Sequence, residues 1–392
     1  MEALADTPER VAIRDAVRAL CDRFGDDYWS EHDQTATFPV EFHKAFADAG
    51  WLGIAMPEAY GGAGLGVTEA SILMQTVANS GGTFAACSTI HINIFGPHAI
   101  VVHGTEEQKA RMLPPLIRGE VRACFGVTEP DAGLDTTHLK TRAVREGNRY
   151  VVHGRKVWTS TAQVAQKIVL LARTTPIEQC PRPTEGLSLF YTDLDRNYVE
   201  VRRIRKMGRA AVDSNSVFID GLPIPLEDRI GEEGKGFRYI LDSINPERII
   251  NAAETVGIGR RALAKATAYA KERVVFGRPI GKNQAIQHPL AESWAELLAA
   301  ELLVLRAAQL YDSGQPCGAE ANAAKYFGAD AAFRACDRAV RTHGGMGYAS
   351  EYNVERYFRE AVATRLAPVS RELILCYLAE RVLGLPRSRP PT

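Results

Sequence analysis

No excess of either charge marks this chain. Lys+Arg and Asp+Glu each number 47 in 392 residues, and there is no basic tail or aromatic-interleaved basic stripe. The electrostatic footprint of a protein that gathers on nucleic acid or an anionic membrane is therefore missing. Long apolar runs are missing as well; the longest fall far short of the ~18–20 residues that a membrane span needs. The opening MEALADTPERVAIRDAV has neither an apolar signal core nor an Arg/Ser-rich, acid-poor transit pattern. The seven cysteines are scattered, odd in number and form no CxxC pair, which reads as reduced thiols in a cytoplasmic protein rather than a disulfide framework. His91, His98, His103, His153, His288 and His343 show no HExxH or Cys/His spacing, so no metal site is expected. Neither a GxGxxG opening a βαβ unit nor a nucleophile elbow occurs, which argues against a nicotinamide site and against serine hydrolysis.

What is present is an ordinary globular composition, 46% hydrophobic and 24% charged, long enough for a large core and several regions. Residues 1–120 read as helical, with stripes at Val11, Ala12, Ala16, Ala19 and Leu20 and at Phe42, Phe46 and Ala49. Shorter helices follow over 71–77 and 105–117. Residues 121–232 carry short β-favouring runs around Tyr150–Val152, Ile168–Leu171, Leu187–Tyr191, Val199–Val201 and Val217–Ile219, separated by turn residues. No helix-length segment interrupts them, which predicts an antiparallel sandwich or barrel. Residues 233–392 are helical again, in long Ala/Leu/Arg-rich stretches, the last running to Gly384. The fold class is α+β: an N-terminal helical domain, a central antiparallel β-domain and a C-terminal helical bundle. Glu227-Asp228 and Glu232-Glu233, in Gly/Pro-rich connections, read as solvated charge.

Four segments in order carry a resemblance: Phe125-Gly-Val-Thr-Glu-Pro-Asp-Ala-Gly-Leu-Asp135, Lys156-Val-Trp-Thr-Ser160, Glu272-Arg-Val-Val-Phe-Gly277 and His343-Gly-Gly-Met-Gly-Tyr348, followed by Glu351-Tyr352. Together, with matching domain types between them, they resemble the acyl-CoA dehydrogenase family over nearly the whole chain. The resemblance implies FAD, an acyl-CoA thioester substrate, an electron-transfer flavoprotein or other electron acceptor, and a homotetramer or dimer.

It also implies roles for particular residues. Phe125, Val127, Thr128 and Gly133 would lie along the isoalloxazine, with Trp158, Thr159 and Ser160 at its edge. Ser160 stands in place of a Thr whose hydroxyl faces the reactive nitrogen, where a donor stabilises developing negative charge. Leu134 replaces a common Ser and removes one hydroxyl near the thioester. Arg273 and Phe276 match contacts to the FAD diphosphate and adenine, a task suited to a permanently charged, bidentate guanidinium. Gln284, Gly344 and Gly345 match further dinucleotide contacts across a subunit boundary, Arg341 replaces an acidic or amide residue there, and Ser370 falls where related chains touch FAD.

The reaction that the resemblance implies takes an α-proton and a β-hydride from a thioester, so it needs one carboxylate in a water-poor pocket opposite the ring. In many members that Glu lies near the C-terminus, where this chain has Pro368. A minority, including the isovaleryl and long-chain types, carry it on another helix, and there Asn245-Pro246-Glu247-Arg248 supplies Glu247 as base and Arg248 beside the substrate head. The same tetrapeptide reads as a helix start, with Asn as cap, Pro at the first position and Glu favouring the dipole. Glu372 is the next candidate base. An oxidase or flavin monooxygenase on the same fold, and a non-catalytic flavin-fold scaffold, are the competing readings; acyl chain length, branching and carrier stay open.

Overall fold

The local chemistry of the helix starts is legible residue by residue. Thr105 accepts the Gln108 N–H at 3.2 Å while Gln108 Oε1 accepts the Thr105 N–H at 2.9 Å, the reciprocal box that satisfies two otherwise unpaired donors. The same Gln108 amide then donates to the Glu227 and Arg229 carbonyls at 2.8 Å, tying a helix end to the sheet.

The computed structural model describes residues 7–388. Among them the first helices are α1 (Pro8–Cys21), α2 (Asp26–Thr35), α3 (Val40–Asp48), α4 (Val67–Ala78), α5 (Thr83–Phe95), α6 (His98–His103) and α7 (Glu106–Ile117). The strands follow: β1 (Ala123–Gly126), β2 (Arg142–Glu146), β3 (Arg149–Ser160), β4 (Lys167–Arg173), β5 (Leu187–Asp193), β6 (Val199–Arg203), β7 (Ser214–Pro225) and β8 (Arg229–Ile230). Then come α8 (Gly236–Glu272), a hairpin of β9 (Val274–Val275) and β10 (Arg278–Pro279), α9 (Gln284–Asp312), α10 (Gly318–His343), α11 (Val354–Thr364) and α12 (Arg371–Tyr377).

The sheet order is β6-β7-β3-β2-β4-β5-β8, with β1 also paired to β4. It is mixed, where the sequence predicts an antiparallel domain: β1 runs parallel to β4, and β2 meets β4 in parallel at Arg142–Arg173. Strand alternation divides the residues of β4 between two cores. Ile168 and Leu170 pack inside the sheet with Tyr150, Val152, Phe190 and Val217. Val169 and Leu171 face α7 and the start of α8, against Leu113, Leu116, Tyr239 and Ile240. The third and largest core joins α1, α3, α4 and α5 to α8, α9, α10 and α11.

Helix α8 is the shared axis, packing against α4, α5, α9, α10 and α11. Its start corrects the sequence reading. The helix begins at Gly236 and passes through Pro246, which is internal; Asn245 is no cap, and Glu247 lies more than three turns in, beyond reach of the dipole at the helix start. An interior proline costs about 3 kcal/mol or more; full burial of Ile249, Ile250, Ala252 and Ala253 just beyond it offsets that cost.

Other departures follow from tertiary context. α2, α5 and α6 are not recognised in the sequence; α5 is buried nearly all round and shows no polar face. The stretch Thr83–His103 is long and apolar enough to cross a membrane, contrary to the sequence estimate, but 67% of its most apolar window is buried within the protein. The last helix, expected over Pro368–Leu383, is α12, which gives way to a π turn at Leu378–Val382; α11 precedes it as a separate helix. Asp228, expected in solvent, is 3% exposed and pairs with Arg111 at 2.8 Å.

Close helix approach depends on glycine at Gly257, where a Cβ would lie 2.3 Å from the Gln75 carbonyl oxygen and 2.5 Å from Ala78 Cβ of α4. Gly257→Val should therefore part α4 from α8 and cost on the order of 1–3 kcal/mol. Urea denaturation would show a lowered midpoint at unchanged slope; an unmoved midpoint refutes the tight contact.

Candidate active site

The loop after β1 is shaped by a buried ion pair. Glu129 accepts from Lys156 Nζ at 2.8 Å and from the backbone N–H groups of Lys140 at 2.6 Å and Thr141 at 2.9 Å. Lys156 also donates to the Val127 carbonyl at 3.1 Å, and the Val157 N–H to the Thr128 carbonyl at 2.9 Å. Burial raises the Glu129 carboxyl, but the Lys156 charge and these donors outweigh it and hold the group below its ordinary range. Two separate sequence segments are thereby clamped into one ledge.

That ledge presents what a planar ring requires. Gly133 has open space where a Cβ would stand. Between Lys156 and Thr159 the β3–β7 register shifts, and at this bulge Trp158 adopts φ 60°, a left-handed conformation that bulky residues avoid. The twist turns the indole out of the sheet, 58% exposed. Beside it the fully buried Thr159 hydroxyl has no hydrogen-bond partner, and Ser160 accepts from Arg209 Nη2 at 3.0 Å. Phe125, Val127 and Thr128 are buried or half-buried along the same ledge, while Leu134 is exposed. An open shelf, an orphaned hydroxyl and an outward indole fit a flavin ring.

Across from β3, α5 and α8 carry the titratable groups. Glu247, Asn251 and Glu254 share one face of α8. Glu254 is buried and accepts from His91 Nδ1 at 2.8 Å and from Asn251 Nδ2 at 2.9 Å. Against the desolvation of its ring, the Glu254 carboxylate raises the His91 pKa. Lys325 of α10 is buried, donates to the Thr364 carbonyl, and is pushed down to about 7 by desolvation. Among the described residues, the side chain of half-buried Glu247 makes no hydrogen bond and no ion pair. Desolvation raises its carboxyl, against the charges of His91 and Arg248. Arg248 donates to Asn245 Oδ1 at 3.1 Å and leaves its buried Nε without a partner.

The remaining predicted residues lie elsewhere. Arg273 follows the end of α8, about 39 Å from Glu247 along the axis at about 1.5 Å per residue. Phe276 is fully exposed at φ 51° in the hairpin. Gln284, Gly344 and Gly345 are exposed; the two glycines follow His343, which stacks on Tyr269 near the end of α8 at 4.3 Å. Arg341 pairs with Asp337. These residues form a second cluster, which one copy of the chain does not bring to the ledge. Ser370 caps α12 by accepting the Leu373 N–H at 3.3 Å, and Glu372 in that first turn is exposed.

Sequence reasoning did not single out Lys156, Glu129, Arg209, His91, Glu254 or Lys325. The first pair had a signal, a Lys and a Glu inside two motifs already paired by resemblance; the others sit on elements whose faces only packing reveals. A cavity of about 570 Å³ between α1, α4, α8 and α9 is a different place, lined by Arg260 and Arg261, roughly 20 Å along α8 from Glu247. Those arginines are already paired with Glu301 and Asp26.

Removing one partner of the ledge pair strands a buried charge. Lys156→Met should cost about 3–5 kcal/mol, read as a lowered urea midpoint, with Lys156→Met/Glu129→Gln costing less than Lys156→Met alone. Equal losses in the two variants would show that the pair does not shape the loop.

Known proteins share this order of domains and this fold. Sequence models of the acyl-CoA dehydrogenase N-terminal, middle and C-terminal domains match residues 7–120, 124–222 and 234–383. A Mycobacterium bovis protein named acyl-CoA dehydrogenase fadE12 is 34% identical over 396 residues, 98% of each chain. Subunit CarC of the caffeyl-CoA reductase-Etf complex of Acetobacterium woodii is 33% identical, covering 84% of this chain and 86% of its own. The structure of butyryl-CoA dehydrogenase from Megasphaera elsdenii superposes with a TM-score of 0.92 at 28% identity, covering 98% of this chain and 100% of that one. With its three domains matched in order, the chain belongs to the acyl-CoA dehydrogenase family of FAD-dependent oxidoreductases.

Proposed function

We propose that the protein converts an acyl-CoA thioester to its 2-enoyl form, with Glu247 as the base. One observation carries this reading: among the described residues the half-buried, desolvated Glu247 carboxylate, on the α8 face it shares with Glu254, makes no hydrogen bond and no ion pair. The fully buried glutamates are bound, Glu129 by Lys156, Glu254 by His91, Glu301 by Arg260 and Glu360 by Arg356. A carboxylate committed to an ion pair resists protonation, whereas a desolvated, unpaired one has the raised pKa that suits removal of an α-proton.

FAD, when bound, supplies the acceptor for the β-hydride. This chain's own residues do the rest. Glu247 takes the α-proton, Arg248 presents an unsatisfied Nε–H to the substrate head, Trp158 shields the ring edge, and the Ser160 hydroxyl donates toward the ring. An enclosed carboxylate left unpaired suits a catalyst better than a scaffold. The Etf complex to which the Acetobacterium woodii relative belongs supports an electron-transfer flavoprotein as oxidant. Arg273, Phe276, Gln284, Gly344 and Gly345 serve the dinucleotide of a neighbouring subunit, which accounts for their distance from Glu247 and calls for a homotetramer or dimer.

Glu247→Gln should keep yellow FAD yet show no bleaching on addition of acyl-CoA, with kcat lowered about 10²–10⁴-fold. Wild-type bleaching by that variant moves the base elsewhere, with Glu372 the next residue to change. Because only the carboxylate accepts a proton and burial raises its pKa above 4.5, kcat/KM of the wild type should fall as pH drops through a value above that figure. A panel of short, branched, long and cyclic acyl-CoA esters, scored with an artificial electron acceptor, assigns the acyl group.

A further inference from the structure

Arg209 lies in the loop between β6 and β7, with φ 57°, in the left-handed region that side chains other than glycine avoid. Its guanidinium joins three parts of the chain. Nη1 donates to Ser88 Oγ of α5 at 3.1 Å; Nη2 donates to Ser160 Oγ of β3 at 3.0 Å and to Ser214 Oγ of β7 at 3.2 Å. Its carbon sits 5.4 Å from the ring centre of Phe84, also on α5. Among the described residues it forms no ion pair: three neutral hydroxyls hold an arginine that burial disfavours as a cation, with Glu360, Glu254 and Asp213 acting on it only through space.

Two physical consequences follow. A serine hydroxyl has one proton and two lone pairs; once its oxygen accepts from a guanidinium, its proton must point away from Arg209. The Arg209 contact thus makes Ser160 a donor toward whatever stands on its other side, and the adjacent charge strengthens that donation. A strained, desolvated cation with no direct ion pair among the described residues is also expensive to keep, and such expense persists where an anion forms during function.

We propose that Arg209 is a positioning residue for flavin reduction, orienting the Ser160 hydroxyl toward the ring and supplying positive charge to the reduced state. The inference rests on the reading above, in which Ser160 faces the reactive edge of the ring. The balance is simple: the substrate's α C–H bond gives its proton to Glu247, and its β C–H bond gives a hydride, two electrons and one proton, to the flavin. The ring thereby gains one negative charge. The neutral hydroxyl and the uncompensated guanidinium are placed to meet that charge, and oxidised flavin, lacking it, gains less from them.

The test is the midpoint potential of bound FAD, measured against a reference dye in wild type, Arg209→Met, Arg209→Gln and Ser160→Ala. Loss of Arg209 should make two-electron reduction about tenfold less favourable, roughly 30 mV. Ser160→Ala should lower it comparably, and Arg209→Met added to Ser160→Ala should bring less than a further threefold loss. Arg209→Lys, which keeps the charge but cannot fork to three hydroxyls, should fall between wild type and Arg209→Met. If Arg209→Met does not fold, the glutamine and lysine variants decide. FAD-bound, folded variants whose potentials stay within twofold of wild type overturn the proposal, even if their stability drops, because that outcome makes Arg209 an inter-domain brace only. Full additivity of the two substitutions overturns action through Ser160. A wild-type chain that binds FAD but dehydrogenates no thioester defeats the proposed function while leaving the potential measurement valid.

Discussion

The unbroken course of α8 is the constraint from which the rest of the molecule takes its geometry. It runs from Gly236 to Glu272 with Pro246 inside it, and α4, α5, α9, α10 and α11 all pack on it. A rigid rod of that length fixes the spacing of everything it carries. Glu247 and Glu254 share a face two turns apart, and Arg273 is held far beyond them at the other end. Had the chain broken at Asn245, as its capping chemistry suggests, the first-turn dipole would have favoured a charged Glu247. Continuity removes that influence and leaves desolvation in control.

Burial of charge is managed unevenly, and the unevenness is what supports the proposed chemistry. Glu129–Lys156, Glu254–His91 and Glu360–Arg356 are paired inside the protein, which limits the cost of taking each ion from water. Among the described residues, Glu247 and Arg209 make no direct ion pair. Contacts link the two: Arg209 bonds Ser88, Ser88 lies one turn before His91 on α5, and His91 bonds Glu254 on the Glu247 face of α8. One group can accept a proton and the other can meet a negative charge. Dehydrogenation asks for both.

Much of the architecture was legible because it follows short-range rules. The β-favouring runs around Val152, Leu170 and Phe190 became β3, β4 and β5, and the Ala/Leu-rich stretches became α8, α9 and α10. The ledge motifs were legible as motifs, through resemblance, and the structure sets Trp158 and Ser160 at the end of β3, beyond the run around Val152 that the sequence marked. Helix α5 escaped notice because the faces of a helix enclosed on every side carry no amphipathic period. The parallel pairing of β1 with β4 joins segments far apart in the chain, and no local pattern records which strand a neighbour will be.

By itself, then, the amino-acid order determined the α–β–α succession, the flavin-type motifs and the presence of a Glu-Arg pair at 247–248 together with Pro368 at the position where the resemblance expects a Glu. Those are properties of composition, spacing and residue identity, which the chain carries whether or not it is folded. Only the tertiary structure decided that Glu247 is unpaired while its neighbours are bound, that Trp158 turns out of a bulge, and that Arg209 rests on three serines. Desolvation, hydrogen-bond direction and charge pairing depend on which distant segments meet, and segments meet only when the cores of the folded chain close.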